Sequence, residues 1–131
     1  MIDIVRELVA AVKADTTLNT GVGGRVYGNR IPQGAAIPLI LVTAAQNTPA
    51  TRPQTTWWRS LTSIDVHAED PAVSLALATR VQEITPTIVG ARATCVITAC
   101  QVESRLPVVD DGWTPTRFRQ VVTVDLTARE L

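Results

Sequence analysis

The 131-residue sequence predicts an α+β domain, a mainly antiparallel sheet of about four to five strands with two helices packed on one face. Three observations lead there. Two segments, near residues 3–14 and 71–85, repeat apolar residues at helical spacing, and five others alternate or run apolar as strands do. The connections between them are polar and rich in Gly and Pro. No repeat or composition break divides the chain, so residues 1–131 read as a single domain, long enough to bury roughly two-thirds of its unfolded surface.

The elements follow in order. Val5, Leu8, Val9 and Val12 make one helical stripe with Arg6, Glu7 and Lys13 opposite, and Asp3 is placed to cap it. "TTLNTGVGG" reads as a break before a short strand at Arg25-Val26-Tyr27. "PLILVTAA" is apolar on both faces, as a central strand is, and "QNTPATRPQTT" reads as a long polar connection. "WWRSLTSIDVHA" alternates as a strand. Asp70 then serves as N-cap with Pro71 at the first helical position, and Val73, Leu77, Val81 and Ile84 form the stripe of the second helix. "ARATCVITACQVES" and "TRFRQVVTVDLTARE" alternate as an antiparallel pair joined through the turn-rich "LPVVDDGWTP". In the last strand Phe118, Val122, Val124 and Leu126 form the inner face, and Arg117, Arg119, Val121, Thr123, Asp125 and Thr127 the other. Val96, Cys100 and Val102 are expected to keep the outer face of the preceding strand partly apolar.

Composition excludes several classes. Twelve basic residues balance twelve acidic ones, which gives no electrostatic footprint for general nucleic-acid or membrane binding. "MIDIVRELVAAVKAD" is interrupted by acids and helical in period, unlike a secretory signal, and no stretch reaches the ~20 apolar residues of a membrane span. Cys95 and Cys100 lie five residues apart on one extended strand, about 16 Å at ~3.3 Å per residue, beyond the ~7 Å reach of a disulfide. An odd spacing points them to opposite faces, where they serve as small buried hydrophobes.

The catalytic inventory is thin. His67 is the sole histidine, which removes most triads and multi-histidine metal sites. Asp65 and His67 share a strand face but have no nucleophile motif beside them, so they read as structural. "GVGG" at 21–24 follows a helix and lacks the Gly-Lys-Ser/Thr of a phosphate loop. Glu69-Asp70 and Asp110-Asp111 are explained by a helix cap and a turn. No catalytic residue, metal ligand or cofactor is expected.

The remaining signals are surfaces. Trp57 and Trp58 are adjacent on a strand, so their rings leave opposite faces, and helices cover only one. Trp113 lies beside Asp110 and Asp111. Trp and Arg anchor interfaces more than other residues, and Arg52, Arg59, Arg117 and Arg119 occupy the same loops and strand starts. The apolar loop Asn29–Ala36, with Arg30, Pro32 and Gln33, has no carboxylate, His, Cys or Lys and makes sense as a packing surface.

The run "GRVYGNRIPQGAAIPLILV", the helix and polar stretch before it, and the "TSIDVHAEDPAVSLALATRVQEI" strand-to-helix unit together resemble the tail terminator, or tail-completion, proteins of long-tailed bacteriophages. The matched features are Gly24–Tyr27, the Pro32–Ala35 loop, the Pro38–Val42 strand and the Ile64–Asp70 strand end. The C-terminal strands match only in type, and Trp57-Trp58 and the Asp110–Trp113 loop are not marks of the family. The resemblance implies a non-enzymatic ring, usually hexameric, at the head-proximal end of the virion tail, made in the bacterial host cytoplasm. Its partners would be further copies of itself, the tail tube protein and the head–tail connector, with DNA passing transiently through the lumen and no membrane. The alternatives are a head–tail connector or stopper, a small α+β enzyme or ligand-binding domain built on Asp65, His67 and Arg59, and a nucleic-acid module, which the charge balance disfavours.

Overall fold

The computed structural model describes residues 3–49 and 57–130. Helix α1 (Ile4–Ala14) starts where the Asp3 carboxylate accepts the backbone N–H of Arg6, and it buries Ile4, Val5, Leu8, Ala11 and Val12. Helix α2 (Thr16–Gly21) follows at once. Strand β1 (Val26–Gly28) leads through the 29–38 loop to β2 (Leu39–Pro49), and β3 (Trp57–Ala68) runs into α3 (Pro71–Ile84). A single 3-10 turn, Thr85–Thr87, leads to β4 (Gly90–Ala91), and β5 (Cys95–Asp110) and β6 (Arg117–Glu130) complete the chain.

The strands form one six-stranded sheet in the order β1-β2-β3-β6-β5-β4. Among the described strands β1 and β2 pair in parallel and the other pairs are antiparallel. All three helices bury side chains against one face, where Ile40, Val42, Ile64, Val66, Val122, Val124, Leu126 and Ala128 meet Leu8, Val12, Leu18, Ala78 and Val81. The side chains between these in sequence, including Asp65, His67 and Arg119, point to the other face.

The structure revises several expectations. Among the described residues there are six strands and three α-helices: Gly90–Ala91 adds a short strand, and "TTLNTG" forms α2 instead of a break. Asp15 makes that helix: its side chain accepts from the N–H of Leu18, its carboxylate pairs with Arg80 of α3 at 2.7 Å, and Leu18 is fully buried. β2 continues to Pro49, and β5 runs through Leu106–Asp110, so both linkers are partly strand. Val73 is exposed although it shares the expected stripe, since α3 buries Leu77, Ala78, Val81 and Ile84 instead.

Glu7, expected on the polar side of α1, is only 3% exposed. It accepts from both the backbone N–H and the hydroxyl of Thr94, at 2.7 and 3.0 Å, and so ties the turn before β5 to the helix. Cys95 and Cys100 are free thiols on the same face, in the core. A bulge between Ile97 and Ala99 inserts one residue and reverses the alternation beyond it, which also carries Val102 to the helix side. Phe118 is half-buried, whereas Arg117 beside it is buried.

Candidate functional site on the uncovered sheet face

The antiparallel register of β3 and β6 sets His67 opposite Arg119 and Asp65 opposite Val121. That of β5 and β6 sets Asp110 opposite Arg117 and Val108 opposite Arg119. A cluster of charged and aromatic side chains is thereby assembled at one end of the face that the helices leave bare. Asp65, His67 and Arg117 are 6%, 4% and 6% exposed, low values for such groups.

Arg119 grips Asp65 with two nitrogens, Nε lying 3.3 Å from Oδ1 and Nη2 reaching Oδ2. Arg117 Nη1 donates to His67 Nδ1 at 3.3 Å. Arginine has no acceptor, so that contact puts the ring proton on Nε2. His67 Nε2 lies 3.1 Å from Asp65 Oδ2 but out of line for a hydrogen bond, so the contact is electrostatic. Burial opposes ionisation of Asp65, yet the contacts from His67 and Arg119 outweigh it and hold the carboxyl below its usual range. The same pairing raises Arg119, whereas burial lowers Arg117.

Asp110 organises the hairpin tip. One of its oxygens accepts the N–H of Gly112 at 3.2 Å, and the other accepts the indole N–H of Trp113 at 3.0 Å. Arg119 Nη1 lies 3.8 Å from the latter oxygen. Trp113, 46% exposed, is thus laid over Arg117, whose guanidinium carbon sits 3.6 Å from the ring centroid.

The apolar loop closes the site. Asn29, which takes φ 69, starts its turn, and the loop is held by Asn29 N–H to Val42 O at 2.9 Å, Ala35 N–H to Pro32 O at 3.1 Å and Arg25 Nε to Pro38 O at 2.9 Å. Ile31, Pro32, Gln33, Gly34 and Ala35 face Trp113 and Arg117 across a cavity of about 190 Å³. Pro32, Gln33, Asp110, Trp113, Arg117 and Arg119, spread over nearly ninety residues of sequence, are brought together here.

Other residues singled out in the sequence lie elsewhere. Arg59 pairs with Asp125 at 2.8 Å toward the far end of the same face, near Trp57. Trp57 and Trp58 are both half-buried; by alternation Trp58 shares the face of Ser60 and Thr62, and Trp57 that of Arg59. Arg30 and Asp111 are exposed, and Arg52 lies outside the described residues. Asp65 and His67, read in the sequence as structural and named otherwise only for an enzymatic alternative, are central to the cluster; their i, i+2 spacing on a strand was the signal. Between the two ends, Leu41, Asp65, Val121 and Leu106 form one cross-strand row, and Leu106 is 60% exposed. Among the described residues no three His, Cys, Asp or Glu side chains converge as a metal site, and no helix is long and apolar enough to cross a membrane.

No family model and no curated protein matches the sequence. Solved structures do match the fold. One is a chain in the virion of the native gene transfer agent (GTA) particle, with a TM-score of 0.69 over 95% of this chain and 94% of that chain, at 17% sequence identity. The two chains share a fold along nearly their whole lengths.

Proposed function

We propose that this chain is a structural component of a phage-like virion and, within that class, a tail terminator. It forms a ring that caps the tail tube, stops tube polymerisation and joins the tail to the head connector. The observation that carries the virion role is the fold shared end to end with a virion chain. The narrower role rests on the loop and strand features that resemble tail terminators; of these, the Pro32–Ala35 loop lines the cavity at one end of the uncovered sheet face. Exposed Trp113 at that end, and exposed Leu106 farther along the same face, offer an apolar surface suited to a partner. A closed ring uses heterologous contacts, each patch meeting a different one on the next copy. His67 has one ring nitrogen engaged by Arg117 and the other against Asp65, an arrangement for holding the cluster together, not for general-base chemistry.

Light scattering over a concentration series, with negative-stain microscopy, tests the ring. Six copies of 14.1 kDa give about 85 kDa. Incubation with tail tubes then tests the role. Ring density at the tube end and arrest of tube growth are expected, whereas binding to the connector without any effect on the tube would assign the chain to the connector side.

A further inference from the structure

We infer that the cavity between Trp113, Arg117 and the Ile31–Ala35 loop is a recognition pocket for a carboxylate side chain, Asp or Glu, carried by a protein that docks on the uncovered sheet face. The inference stands on the pocket and does not depend on the tail reading.

Arg117 is the key. It is buried, yet among the described residues its guanidinium donates to one protein atom only, the His67 ring nitrogen. The two carboxylates of the cluster are engaged elsewhere. Asp65 is held by Arg119 and faces His67, and Asp110 accepts from Gly112 and Trp113. A buried cation with unused donors is costly unless something completes its hydrogen bonds. Trp113 covers one face of the guanidinium and fixes its plane, and Arg117 itself lines the cavity. A planar fork with free N–H groups matches a carboxylate, which it can bind through two parallel hydrogen bonds.

The walls set the rest of the selection. Ile31, Pro32 and Ala35 offer apolar surface to a methylene stem, and Gln33 adds an amide. At about 190 Å³ the space suits one side chain and is small for a drug-sized ligand. Arg119 is already engaged by Asp65 and lies near Asp110, so among the described residues the second charge of a dianion such as phosphate would find no free cation in this cluster. Half-exposed Trp113 at the cavity, and exposed Leu106 farther along the same sheet face, leave apolar surface that a docking protein would cover and a free metabolite would not.

The test follows the indole N–H resonance of Trp113 by NMR while the full chain is titrated with acetyl-Ala-Glu-Ala-amide, its Gln counterpart, free glutamate and inorganic phosphate. The Glu peptide is expected to shift the resonance with a dissociation constant on the order of millimolar. It should bind about tenfold more tightly than the Gln peptide, the ratio that 1.4 kcal/mol produces. Arg117→Gln should remove that preference while leaving the circular dichroism spectrum unchanged. If Arg117→Gln does not fold, the Glu–Gln comparison on the unaltered chain decides. Equal binding of the two peptides, no movement of the Trp113 resonance, or tighter binding of phosphate or free glutamate than of the Glu peptide would overturn the inference.

Discussion

The Asp65–Arg119 pair is expected to be one of the few ion pairs here that matters for stability, and a double-mutant cycle measures it. Its two hydrogen bonds are charge-assisted, and the carboxylate side chain is only 8% exposed while the guanidinium is 27% exposed. Hydrogen bonds to charged groups contribute about 1.5–3 kcal/mol, and removing one partner of a fully buried pair costs about 3–5 kcal/mol. Arg119 is not fully buried and has a second carboxylate, Asp110, at 3.8 Å, which moves the expectation to the low end. Asp65→Asn and Arg119→Gln should each cost about 2 kcal/mol, and their coupling energy should be about 1.5 kcal/mol. Urea unfolding followed by circular dichroism at neutral pH gives all four corners. The pH dependence adds a second constraint. Because Asp65 titrates below its usual value of 3.8 when folded, its contribution is complete above that value and is lost as pH falls through the lower folded value. The cost of Asp65→Asn should therefore shrink in acid. A coupling below about 0.5 kcal/mol at neutral pH would show a pair screened like a surface bridge and refute the reasoning.

Three further outcomes are expected. Trp113→Ala should leave the fold intact, with a stability loss under about 1 kcal/mol because the ring is half-exposed, and should shift assembly toward monomer by light scattering; unfolding without an assembly defect would make Trp113 a core residue. Gly28→Ala would place a Cβ 2.9 Å from Val5 Cγ1, so α1 must move away from β1; a loss of about 1–3 kcal/mol is expected in urea unfolding, relieved in part by Val5→Ala. Burial pushes the Cys100 thiol up to about 11, and burial and then the Glu7 charge raise Cys95. Both should therefore resist Ellman's reagent near neutral pH until the chain unfolds.

Local signals were legible wherever their cause is local. The Asp70-Pro71 start of α3 and the Asp3 cap of α1 are read from neighbouring residues, and the structure shows both caps with their hydrogen bonds. The core face of β6 is a simple alternation, and Val122, Val124 and Leu126 are buried as the period requires. The shared fold class, a mainly antiparallel sheet with helices on one face, follows from the order of such segments.

Other features depend on partners remote in sequence. "TTLNTG" has too little periodicity to announce a helix, and α2 is completed by Arg80 of α3, sixty-five residues from Asp15. Glu7 looks like a solvated helix residue until Thr94 of the β5 turn presents its donors. The alternation rule failed for Cys100 because a bulge is a property of two paired strands, and only the register of β5 on β6 reveals it. Composition and periodicity by themselves determined the class of fold, its helix starts and the absence of a recognisable catalytic motif. Tertiary structure alone decided that Pro32, Trp113 and Arg117 share one cavity, because strand pairing, not sequence proximity, sets which side chains become neighbours.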